Sequence, residues 1–226
     1  MKKSSILKLQ KELLKKKLCY EASVKGEGAA VVYDTAQEAF TARYSHETVA
    51  LAFALTEEAI EDNLYDTLSS RYTRALARSM STTKQVKAAN VLNNAFNSSF
   101  PGGDGKELCA TDHPTVANID QRNELATAAD LNETSLEQAL IDIAAFQDER
   151  GLKINAQATK LIIPPALQFT ADRLMESPGR VNTSDNDINA IRNMGMVSGG
   201  YAVNHYLTDT DAFFIKTDVP NGLKHF

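Results

Sequence analysis

The sequence predicts a mixed α+β protein in which a long helix separates a β-rich N-terminal segment from a mixed α/β C-terminal half. Three patterns lead there. Val49, Leu51, Phe53 and Leu55 alternate with Ala50, Ala52 and Ala54, the period of a strand. Ile60, Leu64, Leu68, Tyr72, Leu76 and Met80 then recur every four residues, a helical period. From residue 128 onward short β-rich runs and short amphipathic stretches follow one another, punctuated by Gly and Pro.

The first segment, residues 1–20, is a basic arm. Residues 1–17 hold seven Lys and one Glu, whereas the rest of the chain holds 17 basic and 28 acidic side chains. Ile6, Leu9 and Leu13 form one helical stripe, with Leu7, Leu14 and Leu18 beside it. Such a helix binds a membrane surface, an acidic partner or nucleic acid, or docks on its own protein or a neighbour. The pattern does not choose among these. The arm connects by no pattern to the rest and is expected to be dispensable for the fold.

Residues 21–55 read as a long β-hairpin. Ala29–Tyr33 is short and β-rich, Asp34–Glu38 suits a loop, and Phe40, Ala42 and Tyr44 lie on the even parity. The parity switches near Ser45–Thr48, which predicts a bulge or bend. A lone two-stranded hairpin is marginal in water. Its outer part, with Phe40, Arg43, Tyr44 and Glu47, is therefore expected to rest on a neighbouring subunit.

Residues 56–127 begin with the strongest helical signal, 56–99. Thr56 is placed to cap it, Glu57 and Glu58 sit where the helix dipole favours acids, and Pro101-Gly102-Gly103 stops it. Each four-residue step advances about 40° beyond a full turn, so the apolar stripe wraps around the helix. Forty-odd residues make about 65 Å, longer than the roughly 45 Å of a compact sphere for this chain length. The helix is expected either to break near Ser81 or to be covered by neighbours. Residues 101–127 read as a Gly- and Asp-rich connection.

Residues 128–218 read as an α/β unit. Thr134-Ser135-Leu136-Glu137 matches a capping box opening a helix with Leu136, Leu140 and Ile143 inward, and Gly151 is expected to end it. Lys160–Ile163 reads as a buried strand stopped by Pro164-Pro165. Pro165 then opens a helix with Leu167, Ala171, Leu174 and Met175 inward. Ser184 or Asp185 is expected to cap a further helix through Arg192, and Tyr201–Leu207 and Ala212–Lys216 read as strands around Asp209–Asp211.

Composition and motifs exclude much. The longest apolar run is the seven residues Val49–Leu55, against about 20 for a membrane-spanning helix. Cys19 and Cys109 give neither a disulfide framework nor a metal spacing, which points to a reducing compartment. Asp112-His113 is the most enzyme-like pair, but Pro114 makes it a turn and adjacent residues rarely face each other usefully. His46, His205 and His225 have no ligand spacing. Asp185, Asp187 and Asn189 begin like a calcium loop, but Ala190 and Met196 stand where Gly and Glu are required, so helix capping is the better reading. The glycines at 26, 28, 102, 103 and 105 do not form a phosphate loop. No catalytic, cofactor-binding or metal-binding residue is assigned.

Several stretches together resemble the major capsid proteins of tailed bacteriophages, whose fold is shared with encapsulin shells. They are Glu27–Asp34, Tyr44–Thr56, Glu57–Tyr65, Ala75–Met80 through Lys87–Asn93, Leu161–Pro165, and Leu207–Asp209 with Asp211–Lys216. The resemblance implies an extended hairpin over residues 24–55 that lies on a neighbouring subunit, and a spine helix over 56–99 in a peripheral domain. It also implies an axial α/β domain over roughly 128–218, with residues 219–226 beginning a return to the peripheral domain in a truncated chain. By the same resemblance the protein is no enzyme but the subunit of an icosahedral phage head. It would be made in the host bacterial cytoplasm and assemble with itself into hexamers and pentamers. Scaffold, portal or decoration proteins are implied partners, and double-stranded DNA would be enclosed without sequence-specific binding and with no membrane. An encapsulin-like cargo compartment and an unrelated α/β enzyme are the alternative readings.

Overall fold

A computed structural model describes residues 40, 47–54, 56–62, 65–180 and 187–219. The basic arm and nearly all of the first expected strand lie outside the described residues. Two helices come first, α1 (Glu57–Glu61) and α2 (Tyr65–Asn93). After a long connection follow α3 (Glu133–Ala144), β1 (Ala158–Ile163), a 3-10 turn (Pro165–Leu167), α4 (Gln168–Glu176), α5 (Ala190–Met194), β2 (Tyr201–Val203) and β3 (Phe214–Thr217). The mixed α+β character is as the sequence predicts.

The expected strand Val49–Leu55 is not formed over its described residues, 49–54. Residues 47–54 form neither helix nor strand, and side chains on both parities are exposed. A strand exists only through a ladder partner, and none is present among the described residues.

The long helix does not break at Ser81. Instead α2 runs through the weak patch for 29 residues, about 44 Å. The hydroxyls of Thr82 and Thr83 donate back to the carbonyls of Arg78 and Ser79 at 3.0 Å. This satisfies the side chains without taking the backbone out of the helix. It ends at Asn93, six residues short of expectation, where Ala95 N–H bonds the Leu92 carbonyl (3.0 Å) in a tightened last turn and Ala95 is fully buried.

The core lies in the α/β unit. Leu136, Leu140, Ile143, Leu161, Ile163, Ala171, Leu174, Met175, Ile191 and Val197 form one buried cluster. β1 is the central strand, parallel to β2 (Leu161 opposite Tyr201) and antiparallel to β3 (Leu161 opposite Ile215). The parallel pair needs a crossover, and α4 with α5 supplies it. The β-rich runs on either side of Asp209–Asp211 therefore do not pair with each other but flank β1. Pro164 and Pro165 end β1, and Ala171, Leu174 and Met175 turn inward on α4, all as the sequence indicates.

Three helix ends differ from expectation. α3 is capped by Asn132, not Thr134: Asn132 accepts from Ser135 N–H (2.8 Å) and Ser135 Oγ accepts from Asn132 N–H (3.0 Å). Asn is as strong a cap as Ser and stronger than Thr, and this choice lets Ser135 and Leu136 both be buried. Gly151 does not end α3, which stops at Ala144. It sits at φ +86° in a tight turn closed by its N–H to the Asp148 carbonyl, a conformation that suits glycine. α5 is capped by Asn189, while Ser184 and Asp185 lie outside the described residues.

Candidate inter-subunit surface

Of the four expected inter-subunit residues, Phe40 is half-buried, Glu47 is exposed, and Arg43 and Tyr44 lie outside the described residues. Glu47 forms an ion pair with Lys87 of α2 in its own chain. The hydrogen bond from Lys87, with its charge, holds the Glu47 carboxyl below the usual carboxylate range. At the other end of the segment Phe53 stacks on Tyr72, ring centroids 5.5 Å apart.

These two contacts define the path. Six residues separate Glu47 from Phe53, at most about 20–22 Å of chain. Fifteen separate Tyr72 from Lys87, about 22 Å of helix. The lengths match those of an extended segment, and the order of the two contacts makes residues 47–53 run antiparallel to α2 as a strap. Along an extended chain alternate side chains share a side, so Val49 and Leu51 lie on the side of Glu47 and Phe53. Between residues 70 and 88 only Leu76, Met80 and Thr83 are half-buried, and they fall on the helix face that joins Tyr72 to Lys87. Yet Val49 and Leu51 remain 40% and 54% exposed, so the strap leaves an apolar seam partly open.

The far end of α2 is fastened to the α/β unit. The Asn93 side chain donates to the Tyr206 carbonyl and accepts from Thr208 N–H, both at 3.1 Å. Phe96 stacks on Phe214 of β3 with centroids 5.9 Å apart. Sequence reasoning singled out none of Asn93, Lys87 or the Phe96–Phe214 pair, whose partners are 40 to 118 positions away. The shared odd parity of Glu47 and Phe53 was the one available signal for the strap.

The connection between α2 and α3 is folded onto the helix end. Cys109 N–H bonds the Ala95 carbonyl at 2.8 Å, and Ala110 N–H bonds the Asn123 side chain at 2.9 Å. His113 Nδ1 meets Asp104 at 2.6 Å, while Asp112 pairs instead with Lys106. The adjacent Asp112-His113 pair is thus split between two partners. The second ring nitrogen of His113 is buried with no hydrogen-bond partner in the structure. The two pairs tie residues 104 and 106 to residues 113 and 112 within the connection. Burial, and secondarily the charge of Glu124, pushes the Cys109 thiol up to about 11, the reverse of an activated thiol. Asn189 Oδ1 accepts from Arg192 N–H (3.3 Å), the bond of a helix cap, while its Nδ2 donates to the Leu174 and Ser177 carbonyls. Among the described residues no group of His, Cys, Asp and Glu could hold a metal ion, and no helix is long and apolar enough to cross a membrane. A hollow of about 550 Å³ lies between the start of α3 and α4, lined by Asn132, Glu133, Thr170 and Arg173 among others.

A sequence profile of the family described as phage capsid protein matches residues 38–226. No curated protein matches the chain, and no solved structure does.

Proposed function

The chain belongs to the phage capsid protein family, and we propose that within it this protein is the repeating subunit of the head shell. In this reading copies assemble as hexamers and pentamers into an icosahedral shell that encloses double-stranded DNA. Scaffold, portal or decoration proteins complete the particle, and the subunit is made in the host bacterial cytoplasm.

The observation that carries the reading is the state of α2. From Ser69 to Asn93 only Ala89 is buried. Tyr72, Val86 and Val91 are exposed on that helix, beside Val49, Leu51 and Phe53 of the strap. An isolated helix of this length is marginal in water, and most helical stability in proteins comes from packing. A helix with so little cover from its own chain gains that cover from neighbours. Standard interfaces of about 1,600 Å² each would supply it. We assign Phe40, Arg43, Tyr44 and Glu47, and with them the segment of residues 24–55, to the contact between subunits.

Negative-stain imaging of the expressed full chain, beside sedimentation velocity, tests the proposal. Shells, hexamers or pentamers are expected. A folded chain that stays monomeric at high concentration would refute the assembly role.

A further inference from the structure

We propose that the face of α2 turned away from the strap, carrying Arg71, Arg74 and Arg78, binds the phosphate backbone of duplex DNA. The biological setting rests on the head-shell reading, in which DNA is the enclosed partner.

The local charge runs against that of the chain. The whole protein has a formal charge of −5. Helix α2 nevertheless carries Arg71, Arg74, Arg78, Lys84 and Lys87, and its only acid is Asp66. At 100° per residue Arg74 and Arg78 lie about 40° apart, and Arg71 is about 20° beyond Arg78. Their mean direction is about 170° from the centre of the Tyr72–Leu76–Met80–Lys87 face on which the strap lies. Lys84 lies between the two faces, nearer the strap side. Lys87 is on the strap side and is taken by Glu47.

All three arginines are exposed, and none makes an ion pair among the described residues. Between residues 70 and 88 the sector within about 60° of their mean direction otherwise holds Ser81, Thr82 and Gln85, and Val86 stands beyond its edge. It contains no acid and no large apolar side chain. This composition decides between two partners. A contact between copies needs an apolar or aromatic centre with charges at its rim. The exposed acids of α1 (Glu57, Glu58 and Glu61) and Asp62 just after it could offer charge to this face, but it has no such centre. Binding to a phosphate backbone needs only regularly spaced cations and hydrogen-bond donors. Arg71 to Arg78 spans about 10 Å of helix axis, one guanidinium per 5 Å or so. Duplex DNA offers a phosphate charge every 1.7 Å or so of its axis. The planar guanidinium is also the side chain best matched to phosphate oxygens. With no base-reading geometry required, the binding is indifferent to sequence.

The test uses the full chain and a labelled 30-base-pair duplex of mixed sequence, with anisotropy read from 25 to 200 mM NaCl. Wild type should bind with an affinity that falls steeply with salt. The Arg71→Gln/Arg74→Gln/Arg78→Gln variant keeps helix propensity. It should bind at least tenfold more weakly at 50 mM and lower the log–log salt slope by about 2–3, near 0.9 for each phosphate left unneutralised. Arg74→Gln alone should lower the slope by about 1, and the triple Arg→Lys variant should retain most binding. A variant with the seven lysines of residues 1–17 changed to Gln separates the arm from the stripe. Binding abolished there but kept in the stripe variant would overturn the proposal. So would absence of binding by wild type, or a stripe variant that binds DNA normally while self-association weakens. Imaging of the same samples keeps the two readings apart. Shells with unchanged DNA binding in the stripe variant would overturn this inference alone, and stripe-dependent binding without any assembly would overturn the head-shell reading.

Discussion

The joint between α2 and the α/β unit is the most quantitative point of the fold. Asn93 spans it with one donated and one accepted bond, each 3.1 Å, to the backbone of residues 206 and 208. A hydrogen bond contributes about 0.5–1.5 kcal/mol net. Because Asn93 and Tyr206 are half-buried and Thr208 is exposed, the lower part of that range applies. Asn93→Ala should thus cost about 1–2 kcal/mol locally. If residues 206–208 exchange their amides by local opening, Thr208 N–H should lose roughly five- to thirtyfold of its protection. Asn93→Asp separates the two bonds. It keeps the acceptor for Thr208 N–H but sets a charged oxygen against the Tyr206 carbonyl, so it should be at least as damaging as Ala. Hydrogen exchange resolved at residues 206–208, on the dissociated subunit, is the assay. Protection at Thr208 unchanged in both variants would show that the joint is held elsewhere, with the Phe96–Phe214 stack as the remaining clamp.

Three further outcomes follow from other sites. With Cys19 changed to Ser, Cys109 should alkylate near pH 8 about a hundredfold more slowly in the native chain than in the unfolded one. Its thiol is raised from 9.0 to about 11, and each pH unit below the pKa costs tenfold in thiolate. Since the folded value is the higher, this contribution to stability is present below the unfolded thiol range and disappears as pH rises through about 11; equal rates would mean the connection is open. Gly199→Ala places a methyl 2.5 Å from the Thr159 carbonyl oxygen, a backbone atom at the β1 bulge. It should cost about 2 kcal/mol and lower Tm by roughly 4–8 °C, whereas Gly179→Ala, whose methyl meets only the Asp187 carbonyl at 3.7 Å, should be near neutral in the same melt. The Glu47 carboxyl should titrate at lower pH in wild type than in Lys87→Met by NMR. Its folded pKa is depressed, so the ion pair that holds the strap is intact above the ordinary carboxylate range and breaks as pH falls through the depressed value; identical midpoints would remove the ion pair.

Features set by neighbouring residues were legible in the sequence, and features set by distant ones were not. Lys160–Ile163 followed by two prolines could be read as a buried strand because the stop is covalent: proline supplies no N–H to continue a ladder. Ala171, Leu174 and Met175 could be read as inward because a single turn of helix fixes their common face. The start of α3 was misplaced by two residues, since Asn132 and Thr134 both offer a capping oxygen. What decides is which frame buries Ser135 and Leu136, a property of the finished core. The strap was misread for the same reason. Alternation at 49–55 shows that the chain is extended and two-faced, but not whether it faces another strand or the side of a helix. Asn93 carries no local signal at all, because its partners lie 113 and 115 positions on.

The division of the buried side chains has a consequence for assembly. The α/β unit contains a connected core from Leu131 to Val197, on which its sheet and helices pack. Helix α2 has no comparable support. Its middle, Ser79–Thr83, holds four residues that favour a helix weakly beside Met80, and among the described residues the strap lies along one face of it. Its two attachments differ in kind: Phe53–Tyr72 and Glu47–Lys87 along the strap side are exposed and individually weak. Asn93 and Phe96 instead fasten one end to a folded body. The chain therefore combines a body that has its own core with a long lever fixed at its C-terminal end. In the proposed shell, contacts between copies would act on that lever, where its apolar side chains remain open, rather than on the core. In this arrangement neighbours can set the direction of the helix without disturbing the unit that keeps the chain folded.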